Sequence, residues 1–410
     1  MKTVGIWTTV VTALAATSST VSPFATPIVE TPVVGDYGAF HGVVDLAESL
    51  PRGSSVKVLW THGMCTHPPS WVDDRIHRLA VAVGGTAETA SQRPVGGHGA
   101  TLRTERVTVS GRTFEVVFLT WSPLTAEYKA ALNDDAAPTD GERASYTRAT
   151  LNRELKRGLV NDCLTDVVVY GGPNGRDIRA AVRETVCEAL GGRLYDRNCD
   201  VSVDAVPTAM ALVTESLGSK LIFDAVLDMW NAAESSADRT QIDRLALSLA
   251  TMRTMYMLAN QVPLLESAGA QHFDGRFAQP AAPMRARTSA RHVFGLLSVA
   301  RTVSPPAEGP MTVVAFSDPN DLLSYRITPA HFPEDLKDFR IVNVIVSNDA
   351  TYFGYVERPD TAHCGYSWNP HVYGMLAKGY QIGKAFPSAF GLAGGSCVGY
   401  MGNALSGHRG

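Results

Sequence analysis

Three polar residues stand in the order and surroundings that acyl chemistry asks of a nucleophile, an acid and a base. Ser216 lies in AMALVTESLGSKLIFDAVL, between a short apolar run at 209–213 and a helix-like stretch that reaches Trp230. A serine on a tight strand-to-helix turn projects its hydroxyl above the sheet edge, and the helix N-terminus favours negative charge developing there. Small residues two before and two after it let strand and helix approach. Gly218 supplies one of these, but Thr214 stands where the G-x-S-x-G pattern has glycine. Its β-branched bulk predicts a wider turn or a recessed strand. A TxSxG string alone is a weak signal, because a serine capping a core helix gives the same letters.

The surrounding segments strengthen it. Upstream, the apolar run 56–60 ends in Thr61-His62-Gly63, as a buried strand entering a loop does. A loop at that place supplies one amide to an oxyanion hole, and the residue after the nucleophile supplies the other, which assigns the donors to Met64 and Leu217. Gly63 lets the backbone turn its amide inward. His62 reads as a packed structural histidine. Downstream, VVAFSDPNDLLSY ends a strand in a loop bearing Asp318 and Asp321. Asp321, followed by two leucines, is the expected acid, and Asp318, before a proline, the expected turn initiator. The base is sought after the last apolar run. His363 in the loop-like AHCGY is preferred over His371, which follows Pro370 and opens a final helix.

Positioning these residues requires several apolar runs ending on one side. The runs at 56–60, 165–170, 209–213, 311–316 and 341–346 read as strands, and MYMLANQVPLL holds one more. RVTVSGRTFEVVFLTW reads as a hairpin turning at Ser110-Gly111. Between the runs, WVDDRIHRLAVAV and DIRAAVRETVCEAL carry apolar residues at helical spacing. Runs alternating with amphipathic helices predict a mostly parallel sheet with helices on both faces. Asn260 and Gln261 are read as core residues in preference to pocket residues.

The order Ser216, Asp321, His363 with HGM, TESLGS, SDPNDLLS and AHCGY resembles the α/β-hydrolase superfamily, near its lipase/esterase-like branch, over residues 55–385. That resemblance implies an α/β-hydrolase fold: a mainly parallel sheet of about eight strands, no cofactor, and helical cap insertions at 125–165 and 232–300. It also implies cleavage of carboxylic esters through an acyl-enzyme. The alternatives are a non-catalytic binding scaffold of the same fold, or an acyltransferase or amidase using the same triad.

Composition sets the bounds. With 45% hydrophobic and 19% charged residues and a net charge of -4, the chain is that of an ordinary globular protein. No basic block advertises a nucleic-acid surface, and no stretch is a convincing membrane span. The expected partner is a small-molecule or lipid ester. Residues 1–23 read as a signal peptide or leader and 24–54 as a linker with at most a short edge element, leaving 55–410 as the hydrolase domain. This makes a secreted or periplasmic protein the expectation and a cytoplasmic one the alternative. The six cysteines are compatible with three disulfides and show no zinc-like spacing, so no metal is expected. A Cys65–Cys364 bridge tying the oxyanion loop to the base loop is one pairing considered.

Overall fold

A computed structural model describes residues 24–391 except 34–35, 37, 98, 137–148, 237, 269–288, 304–308, 352 and 390, together with Gly395. The leader at 1–23 and nearly all of the chain beyond Gly391 therefore lie outside the described residues. The backbone of the molecule is one mixed sheet in the order β1-β11-β10-β9-β8-β2-β5-β4-β3. Its strands are β1 (Ile28–Glu30), β2 (Val56–Thr61), β3 (Thr86–Val95), β4 (Ala100–Val109), β5 (Arg112–Thr120), β8 (Ala209–Glu215), β9 (Met252–Leu258), β10 (Met311–Ser317) and β11 (Phe339–Ile345). From β11 across to β5 the strands run parallel; β1 at one edge and β4 and β3 at the other are antiparallel. A separate hairpin pairs β6 (Gly192–Tyr195) with β7 (Asn198–Val201).

The apolar runs become the central strands because both faces of the sheet are covered. Every residue of β8 and of β10 is buried, as a parallel sheet between two helical layers demands. One core holds Leu217, Phe223 and Phe294 on the side of the helices Arg176–Ala189, Gly218–Ser236 and Ser289–Val303. The other holds Trp60, Trp71 and Tyr373 beneath the helices Trp71–Val83 and Pro370–Lys378. The hairpin turns at Ser110 (φ 49°) and Gly111 (φ 73°), the positive pair that a two-residue type I′ connection needs.

Several expectations are corrected. The run at 165–170 is a helix, Thr165–Gly171, not a strand. Helical spacing puts Asp162 and Asp166 on one face, where both carboxylates bond the loop after β2. A strand would send residues four apart more than 13 Å along the chain, so tertiary bonding overrides the β-propensity of the valines. The segment 24–54 is more than a linker: besides the short edge strand β1, which the sequence allows, it forms a helix, Val43–Ser49, that buries Val43, Val44, Leu46 and Ala47. The sheet has nine strands where about eight were expected: the run at 165–170 drops out, and β1 and β3 are added, β3 being an antiparallel edge, exposed along most of its length, that shows no alternation to read. The proposed insertion 232–300 includes β9, a central strand, so it is not a continuous cap. Within 125–165 helices span Ala126–Ala136 and Thr150–Leu155, the latter running on through a wider-wound turn Lys156–Leu164. No helix among the described residues is long and apolar enough to cross a membrane.

Candidate active site

Ser216 sits in the step from β8 to the helix Gly218–Ser236, with φ at 53°. A left-handed backbone costs a non-glycine residue about 1–2 kcal/mol, so the surroundings must hold it. The Ser216 amide donates to the Leu258 carbonyl of β9 at 2.8 Å. Two glycines make the close approach possible. A Cβ on Gly63 would lie 2.5 Å from the Ser216 Cβ, and one on Gly218 would lie 2.9 Å from Thr61 Cγ2. Thr214 does not disturb the pairing of its strand. β8 keeps its register with β9 from Ala211 to Glu215. The Thr214 hydroxyl pairs with Ser219 Oγ at 2.7 Å, so the polar atom is satisfied within the turn.

The three sequence candidates meet. His363 Nε2 lies 3.2 Å from Ser216 Oγ, and His363 Nδ1 lies 2.9 and 3.0 Å from the two oxygens of Asp321. A carboxylate only accepts, so Nδ1 carries the proton and Nε2 is left to accept from the serine. Asp318 is turned away: its carboxylate accepts from the amides of Asn320 and Asn348 at 2.9 and 2.7 Å. Burial pushes its carboxyl upward from the usual range. His371 lies in the helix Pro370–Lys378, with its amide capped by Asn369. His363 itself is in a short helix, Pro359–Cys364, where a loop was expected.

Leu217 follows Ser216 in the chain, and Met64 lines the same cavity as Ser216. Among the described residues neither main-chain amide donates to a protein acceptor. His62 has the structural role expected of it. Its Nδ1–H donates to the Gly63 carbonyl at 2.8 Å, and its Nε2 accepts from the amides of Trp121 and Ser122 at 3.0 and 3.3 Å. Burial holds it well below the usual imidazole range. Asn260 and Gln261 are likewise core residues. Asn260 is fully buried, bonding the Tyr325 carbonyl and the Val262 amide.

Sequence reasoning missed the groups around the triad. Tyr366 donates to Asp321 Oδ2 at 3.1 Å and accepts from the Asp318 amide at 2.5 Å. Burial, with the Asp321 charge beside it, raises the phenol well above its ordinary range and keeps it a donor. The loop after β2 is pinned from the other side. The Cys65 amide donates to Asp166 at 2.7 Å, the Thr66 amide to Asp162 at 3.2 Å, and Lys129 Nζ bridges both carboxylates. Cys65 is also joined to Cys163. This replaces the Cys65–Cys364 pairing considered from sequence, because the helix carrying Cys163 packs directly over the loop. Cys187 pairs with Cys199, and Cys364 too is disulfide-bonded. Cys65, Asp162 and Cys163 have ligand-like spacing, but the two sulfurs are consumed by their bond.

A cavity of about 440 Å³ opens over Ser216 and His363. Leu159, Leu164, Leu322 and Leu323 line it, as do Asp74, Arg75 and Arg78 of the helix Trp71–Val83. His67, also lining it, is pushed down to about 4 by burial and is neutral near pH 7.

No family model matches the chain, and no curated protein or solved structure matches it either.

Proposed function

We propose that this chain is a serine hydrolase of the α/β-hydrolase type that cleaves carboxylic esters. The observation that carries the reading is the continuous hydrogen-bonded line Ser216–His363–Asp321 on a strained serine at the floor of a cavity. His363 Nε2 takes the Ser216 proton as Oγ attacks the acyl carbon, and Asp321 stabilises the imidazolium that forms. The Met64 and Leu217 amides receive the oxyanion. His363 then returns the proton to the leaving alcohol, and water attacks the acyl-enzyme by the same path in reverse. The leucines lining the cavity favour an apolar acyl group. Disulfides are characteristic of oxidising compartments, so the Cys65–Cys163 and Cys187–Cys199 bonds support an exported protein.

The test is labelling by a fluorophosphonate probe together with turnover of p-nitrophenyl esters. The wild type is expected to label and turn over, and Ser216→Ala to do neither while remaining folded. An unlabelled wild type that leaves every ester intact would reject the reading and favour a binding scaffold of the same architecture.

A further inference from the structure

The guanidinium of Arg75 joins the three chain segments that the proposed chemistry needs in register. Arg75 sits in the helix Trp71–Val83, which follows the oxyanion loop, and is only 8% exposed. Its Nε and Nη2 donate to the two oxygens of Glu215 at 2.8 and 3.1 Å. Glu215 is the residue immediately before Ser216. The same Nη2 donates to Ser367 Oγ at 2.5 Å, and Ser367 lies in the turn Gly365–Ser367 that continues from the helix bearing His363. Trp60 of β2 completes the node by donating to Glu215 Oε1 at 2.9 Å.

Stability alone does not account for this node. Burying an ion pair costs desolvation that its attraction barely returns, and apolar replacements of equal volume are often as stable. Burial pushes the Glu215 carboxyl up, yet the Arg75 charge and hydrogen bonds outweigh it and hold the group below the usual range. The pair therefore stays ionised and directional. A planar fork fixes the relative placement of its partners in a way an apolar contact does not. Those partners lie next to the nucleophile and just beyond the base.

We infer that Arg75 is a positioning residue, acting through Glu215 and Ser367 to set the distance between Ser216 and His363; this rests on the hydrolase reading above. An error of about 1 Å between reacting groups costs on the order of a hundredfold in rate, so loosening the clamp lowers kcat and leaves KM nearly unchanged. Removing only the Ser367 arm, with Ser367→Ala, is expected to lower kcat on p-nitrophenyl acetate and p-nitrophenyl octanoate alike by about tenfold. Ser367→Thr, which keeps the hydroxyl, is expected to restore it. Arg75→Lys lacks the fork and is expected to stay impaired. The paired variant Arg75→Met with Glu215→Met leaves no buried charge unpaired; it is expected to fold and to lose more kcat than Ser367→Ala.

Steady-state kinetics and thermal unfolding of these variants decide the matter. Ser367→Ala with kcat within about twofold of wild type would overturn the clamp, whatever the paired variant does. A raised KM at constant kcat would also overturn it, by assigning the node to substrate binding. In both cases an active, fluorophosphonate-labelled wild type leaves the hydrolase reading standing. A wild type that neither labels nor turns over would remove both.

Discussion

The two ends of the main sheet obey different rules. From β2 across to β11 the strands are parallel and buried on both faces, and the candidate triad, the loop after β2 and the Arg75 node gather at or beyond the C-terminal ends of β2, β8, β10 and β11. The antiparallel extension through β4 to β3 is covered on one face at most, and β3 is exposed along nearly all its length. Parallel strands end together on one edge, so loops distant in sequence converge there. Antiparallel neighbours return the chain to both edges and concentrate nothing. The candidate site thus lies where strand direction is shared, and the extension widens the sheet without touching it.

Substitutions at the two ends test this separation. The largest effect is expected for Ser216→Ala, a loss of roughly 10⁴–10⁶ in kcat on an activated ester. Asp321→Asn is expected to cost about 10⁴ by disturbing the imidazole tautomer, whereas Asp318→Asn costs less than about tenfold, since Asp318 bonds backbone amides in place of His363. Equal losses at the two aspartates would undo the assignment of the acid. Replacing Cys65 and Cys163 by Ala opens a loop of 98 residues and is expected to lower stability by about 2–5 kcal/mol, read in urea unfolding. Reduced kcat in the remaining folded protein would show that the bond also holds the loop after β2 in place.

A smaller effect depends on pH. Burial raises the Glu266 carboxyl to about 7 from an ordinary 4.5. A raised carboxyl keeps its proton in the folded state while the unfolded chain has released it. Stability therefore falls as pH rises from about 4.5 to about 7, and the penalty stays constant above that. Glu266→Gln is expected to be more stable than wild type at pH 8 by up to about 3 kcal/mol, and by much less at pH 5. A difference independent of pH would contradict the buried, protonated carboxyl. The smallest effect is expected at the antiparallel edge. Gln92→Lys on exposed β3 should shift stability by no more than about 0.5 kcal/mol and leave kcat unchanged. A marked loss of activity there would break the separation of the two ends.

The sequence made the parallel half legible because its strands announce themselves as apolar runs with polar stops. Ser216, Asp321 and His363 each follow such a stop, and chain order alone paired them. β3 was not legible, since TAETASQRPV neither alternates nor clusters apolar residues. The run at 165–170 misled for a related reason: its valines suit a strand, while Asp162 and Asp166 require a helix to reach one loop. The Arg75–Glu215 contact spans 140 residues and leaves no local trace. Tyr366 was the nearest miss, three residues from His363 in the very segment read for a base.

Thr214 bears on how a serine turn of this geometry is sought in sequences. Its methyl and hydroxyl fit beneath the turn because Ser219 offers an oxygen at 2.7 Å, five residues on. The position accepts either no side chain, as glycine offers, or a small one whose polar atom finds a partner, as Thr214 does. A filter requiring glycine two residues before the serine discards this chain. A filter allowing threonine with serine five residues later retains it, along with any sequence that packs the turn in the same way.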